Sequence, residues 1–96
     1  MPREHKEYRS KARIYVDILA SIMKHGGKSR PTRVLYGANL SHDRLMKHLG
    51  QLIELGLVEE EKEDDAMIYK LTDKGRAFLI EFIKMEKFAE AFGITI

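Results

Sequence analysis

The stretch that decides the fold runs from Thr32 to Leu57, TRVLYGANLSHDRLMKHLGQLIELGL. Its first part reads as a short helix, about Pro31 to Tyr36. Pro31 suits a first helical turn, where its missing N–H donor is not needed. Val34 and Leu35 then face inward and Arg33 outward. Gly37-Ala38-Asn39 is a turn. Ser41 is a helix cap, and Leu40 before it is placed to pack on Leu45. Leu45, Leu49, Leu52 and Ile53 recur at +4, +7 and +8, one apolar stripe of a longer helix. The opposite face carries Arg44, Lys47, His48 and Gln51, with Ser41 and His42 at its exposed start. Gly50 sits mid-helix at a cost of about 1 kcal/mol relative to Ala, which a close approach by a neighbouring helix would explain. Gly56 ends the helix.

Upstream, Ser10 to His25 is a supporting helix. Ser10 can cap it, and Ile14, Ile18, Leu19, Ile22 and Met23 form one apolar stripe. Gly26-Gly27 stops it, and Lys28 to Pro31, KSRP, is a basic connection. Residues 1–9 are polar and charged, and are expected to be a flexible arm.

Downstream, Leu57 to Leu71 reads as a β-hairpin. Glu63-Asp64-Asp65 is its tip, and Met67, Tyr69 and Leu71 alternate with Ile68 and Lys70. Two strands alone are marginal, so the hairpin must lean on the helices. Thr72 to about Phe92 is the last helix, capped by Thr72 with Asp73 at its positive end. Phe78, Phe82, Met85, Ala89 and Phe92 are spaced 4, 3, 4 and 3, an a/d seam. The sequence therefore divides into an arm (1–9), a body (10–72) and a C-terminal helix with its tail (73–96).

Ninety-six residues support one domain with a core of modest size. Cysteine is absent, which excludes disulfides and thiolate metal sites. No apolar run approaches a membrane span and no signal peptide is recognisable, so a cytoplasmic location is expected. Net charge is only +2, but it is unevenly placed: Met1 to Gly56 carries +6 and the remainder −4. A basic half on a nearly neutral chain points to a localised anion-binding face. No phosphate loop, nucleophile elbow or metalloprotease motif occurs, and the histidines lack metal spacing. Neither catalysis nor a cofactor or metal is expected.

Helix, helix, turn, helix, hairpin, helix is the order of a winged helix-turn-helix: an α+β fold, mostly α, of three helices and a β-hairpin wing, here with a C-terminal dimerisation helix. The DNA major groove is about 12 Å wide and admits one α-helix with an apolar anchoring face and a cationic outer face. The helix after Ser41 has both. Arg44, Lys47 and His48 are the expected groove residues, Ser41 and His42 the phosphate contacts at the turn, and Lys28, Arg30 and Arg33 phosphate contacts ahead of it. Double-stranded DNA is the expected partner.

The segment TRVLYGANLS resembles archaeal winged-helix chromatin proteins of about ten kilodaltons, the Sulfolobus "ten-a" type. Tyr69-Lys70-Leu71-Thr72-Asp73-Lys74-Gly75, followed by Leu79, is similar to a Y-x-L-T-x-K-G-x-x-x-L signature of many winged-helix regulators. The resemblance covers about Ile14 to Ile83. It implies a homodimer joined by antiparallel pairing of the last helices, with Phe82, Met85 and Ala89 in the joint. It also implies DNA contacts at Arg33, Ser41 and the polar face of the third helix. Two features depart from the pattern. The hairpin is acidic, with Glu59, Glu60, Glu61, Glu63, Asp64 and Asp65 against Lys62 alone, where a wing in the minor groove is expected to be basic. The last helix is short for a coiled coil, so its seam has the alternative of folding back on its own domain. A regulator or chromatin protein is the leading reading. The runner-up is a protein-interaction module whose acidic hairpin meets a basic partner. A ligand-responsive regulator with a pocket near the dimer joint is a third, though no residue pattern marks such a pocket.

Overall fold

Three hydroxyl side chains start three of the helices, at the positions the sequence predicts. Ser10 Oγ accepts from the Arg13 N–H at 3.0 Å, Ser41 Oγ from Arg44 at 3.3 Å and Thr72 Oγ1 from Gly75 at 2.9 Å. Each satisfies a backbone donor that the first turn would otherwise leave open. The structure is a computed structural model and describes residues 9–96. The predicted arm lies outside the described residues except for Arg9. The elements are α1 Lys11–Lys24, β1 Lys28–Ser29, α2 Pro31–Ala38, α3 His42–Glu54, β2 Val58–Glu63, β3 Ala66–Leu71 and α4 Asp73–Glu90.

The hairpin turns at Asp64-Asp65, both in the left-handed region (φ 51° and 63°). Two consecutive left-handed residues match the twist of antiparallel strands. The register runs from Val58 opposite Leu71 to Glu63 opposite Ala66. The connection between α1 and α2 is not merely a loop. Lys28 and Ser29 pair with Lys70 and Tyr69, giving a three-stranded antiparallel sheet in the order β1-β3-β2. A two-residue strand has no periodicity to read, so only its partner reveals it.

The core gathers Ile18, Leu19 and Ile22 of α1, Val34 of α2, Leu45, Leu49 and Leu52 of α3, Tyr69 of β3 and Leu79 of α4, all fully buried. Burying one such aliphatic side chain contributes roughly 1.5–3 kcal/mol. Close helix contact is made at Gly37, which lies inside α2 and not in a turn. A Cβ there would fall 2.3 Å from Ser21 Oγ on α1. The expectation for Gly50 is reversed: nothing lies within 4 Å of its Cβ position, because it sits on the outer face of α3. Asn39, left-handed at φ 57°, ends α2.

Arg9 and Arg13 tie the helices together. Arg9 Nη1 donates to Asp17 of α1 at 2.6 Å and to the Ala38 carbonyl at 2.8 Å, and Nη2 donates to the Asn39 carbonyl at 3.1 Å. It thus fastens the carboxyl end of α2, where carbonyls lack helical partners, to α1. Arg13 pairs with Glu86 of α4 and lies 5.3 Å from the centre of the Phe82 ring. Phe82 is only 9% exposed and belongs to this chain's own core. It therefore turns away from the predicted seam, because its angular position on α4 falls with Leu79 and Gly75, the face packed on the domain.

Candidate nucleic-acid interface

The predicted site residues fall into three groups. Ser41, His42, Arg44 and Lys47 are exposed on the first half of α3, and Arg33 is exposed on α2. Leu45, Leu49 and Leu52 anchor α3 from the opposite side, so the cations are held out by packing and not by partners of their own. Ser41 serves as the cap of α3, and its own hydroxyl hydrogen remains for an acceptor.

His48 corrects the expected set. It is 7% exposed, its ring edge-on to Tyr15 of α1 at 5.9 Å between centroids. Its Nδ1 is 3.3 Å from Gln51 Oε1, which also accepts from the Tyr15 hydroxyl at 2.6 Å. Burial pushes the imidazole pKa down, and the nearby cations Lys47, Arg44 and Lys11 add to this. A neutral ring wedged between α1 and α3 is a packing element. Position 48, three residues after Leu45 and four before Leu52, shares their helix face, so the buried stripe of α3 includes it.

Lys28 lies in β1, paired with β3 of the hairpin, and Arg30 stands at the N-cap of α2. Lys28 Nζ donates to Glu63 Oε2 at 3.1 Å, and that bond raises the lysine pKa. Together with His25, Arg33 and Ile68 they border an open cleft of about 650 Å³.

One exposed residue escaped the sequence reading. Tyr36, one helical turn after Arg33, is 77% exposed. Residues three apart share a helix face, so Arg33 and Tyr36 present a cation and an aromatic ring together. The available signal was the apolar pair Val34-Leu35, which fixes the inward side of α2 and leaves Tyr36 outside.

Among the described residues no cluster of His, Cys, Asp or Glu is set to hold a metal ion, and no helix is long and apolar enough to cross a membrane. Phe78, Met85 and Phe88 on α4 and Phe92 just past its end are exposed, Phe88 and Phe92 at 68% each. Ala89 is half-buried among them. With Phe82 turned inward and Phe88 outward, the apolar row lies to one side of the predicted seam.

A three-helix core, an antiparallel hairpin and an outward cationic α3 define the winged-helix class. The chain belongs to the winged helix-turn-helix family, whose profile matches residues 8–90. Among solved structures it is similar to Sso10a-2, a DNA-binding protein from Sulfolobus solfataricus. The two are 33% identical, with a TM-score of 0.70 over 88% of this chain and 90% of that one. F93 from STIV, a winged-helix DNA-binding protein, is 20% identical with a TM-score of 0.69, over 80% of this chain and 89% of that one. BpsR of Bordetella bronchiseptica, whose DNA binding is regulated by 6-hydroxynicotinic acid, is 21% identical with a TM-score of 0.67, over 83% of this chain and 56% of that one. The last two likenesses speak to the fold alone. No curated protein sequence matches the chain.

Proposed function

We propose that this chain binds double-stranded DNA as a homodimer, as a transcriptional regulator or chromatin protein of the cytoplasm. The observation that carries the reading is the exposed set Ser41, His42, Arg44 and Lys47 on an α3 anchored from behind by leucines. The kinship with Sso10a-2, described as DNA-binding, supports it. Arg44 is the candidate for a bidentate guanine contact, and Lys47 for the groove or its phosphates. Ser41, His42 and Arg33 take the backbone, with Tyr36 beside Arg33. Gly50 faces outward with open space above it, so the helix backbone can approach a groove floor closely there.

The test is a duplex titration at several salt concentrations. Phosphate-driven binding weakens steeply as salt rises, because each neutralised phosphate releases condensed counterions. Affinity that is flat in salt, or absent at low salt, rejects the proposal. Nuclease protection separates the two roles: a short palindrome marks a regulator, continuous coverage a chromatin protein.

The dimer reading rests on the exposed row Phe78, Met85, Phe88 and Phe92. A contiguous apolar strip of this kind marks an interaction surface. Met85→Glu with Phe88→Glu is expected to give a monomer in sedimentation equilibrium, with the helical signal retained. A wild-type chain already monomeric at micromolar concentration contradicts it.

The acidic hairpin favours a second reading. Glu59, Glu60, Glu61, Glu63, Asp64 and Asp65 are all exposed, and a phosphate-lined groove repels them. A basic protein bound in place of DNA would identify the chain as an interaction module.

A further inference from the structure

The cleft between the β1–α2 connection and the hairpin tip is used by neither α3 nor the α4 row. Its volume, about 650 Å³, is that of a small-molecule site. Three permanently cationic side chains border it, Lys28, Arg30 and Arg33, together with His25. The His25 ring is fixed, because Nδ1 lies 2.8 Å from the Ser21 carbonyl and must donate to it. Nε2 is then the nitrogen left to meet a ligand. Ile68 supplies the apolar part of the lining.

An oxyanion already stands at one corner. Glu63 Oε2 accepts from Lys28 Nζ at 3.1 Å, with both side chains about half exposed (50% and 52%). A pair this open is weak and exchangeable. It shows that a charged oxygen is accepted there, held by the chain itself in the absence of anything stronger. A phosphate group carries more charge and more acceptor oxygens than one carboxylate, and arginine forks match it in two-point contacts.

The surroundings select for size. Glu61, Glu63, Asp64 and Asp65 lie on the hairpin tip beside the cleft. A duplex, with a negative charge every 1.7 Å or so of axis, brings many phosphates against that tip at once. A single small anion brings only its own.

We propose that this cleft binds a small phosphorylated molecule, its phosphate oxygens on Lys28, Arg30 and Arg33 in place of the Glu63 carboxylate. The site shares only Arg33 with the proposed DNA contacts, and the inference does not rest on DNA binding.

The experiment is a backbone amide NMR titration of the full chain with inorganic pyrophosphate, at ionic strength held constant with sodium chloride. Saturable shifts confined to the Lys28–Arg33 segment, Glu63 and Ile68 are expected. Glu63→Gln tightens binding about threefold by removing the internal competitor, and Arg30→Ala weakens it about tenfold by removing a charge-assisted donor. The same spectra report whether each variant is folded. Non-saturating shifts at every cation, those of Lys84 and Lys87 on α4 included, overturn the proposal. In a second arm, saturating duplex DNA is added to the pyrophosphate complex. Retention of the shifts at Lys28, Arg30, Glu63 and Ile68 is expected, whatever happens at the shared Arg33. Their loss assigns the cleft to the DNA backbone and overturns the small-molecule reading. If the chain binds no DNA, the first arm still decides the cleft, so the two readings fail separately.

Discussion

Gly75→Ala is expected to lower the melting temperature by about 8–16 °C, as a net cost of about 2 kcal/mol implies. The methyl group would meet the Leu57 carbonyl oxygen at 2.1 Å, its carbon at 3.0 Å and Leu71 Cδ1 at 3.0 Å. The carbonyl cannot swing aside freely, because it accepts from the Thr72 N–H at 3.1 Å where the hairpin's two ends cross. Nor can α4 retreat without losing its cap, since the Gly75 N–H donates to Thr72 Oγ1, which itself donates to the Gly56 carbonyl at 2.7 Å. Overpacking against a braced backbone costs about 3 kcal/mol. The gain in helix propensity from Gly to Ala, about 1 kcal/mol, does not offset it. Thermal unfolding followed by circular dichroism measures the shift, with Gly50→Ala as the control in open space. A Gly75→Ala melt within a few degrees of wild type would show that the crossing yields easily.

Arg44→Ala with Lys47→Ala is expected to weaken duplex binding by about a hundredfold at moderate salt. An arginine fork on guanine is worth roughly 1–3 kcal/mol, and every 1.4 kcal/mol is tenfold. Each lost phosphate contact also removes about 0.9 from the slope of log affinity against log salt. Both side chains are exposed and α3 is anchored by other residues, so folding should be untouched. Titrations of wild type and double variant across a salt series separate the effects. A fall in affinity with unchanged slope means base contact. A parallel fall for all sequences with a shallower slope means phosphate contact. Unaltered binding would place the interface elsewhere on the chain.

The helices were legible because their signals are local. A capping hydroxyl, a leucine recurrence and a glycine stop each act within a turn, and Ser10, Ser41, Thr72 and Gly56 behave as their chemistry requires. The hairpin was legible from its alternation and polar tip. What escaped depends on partners distant in sequence. Lys28-Ser29 becomes a strand only because Tyr69 and Lys70 lie alongside it. His48 is buried only because Tyr15 of α1 stands over α3. His48 stands three residues after Leu45 and four before Leu52, on the flank of the apolar stripe, but its polar ring reads as outward until a tyrosine from another helix covers it. Phe82, expected in the seam, is buried in its own domain, while Phe88, which the pattern left out, is exposed. An a/d pattern describes one apolar band, while α4 carries two adjoining bands, one for its own domain and one exposed. Gly37 and Gly50 exchanged roles too, since sequence shows where a glycine is but not which backbone passes over it.

Arg9 stands ahead of every helix, yet through Asp17, Ala38 and Asn39 it holds the bend on which α3 pivots. The turn ahead of α3 is therefore braced by a residue that precedes α1. A minimal domain trimmed at the first helical residue would keep every buried leucine and discard the strut that aims them.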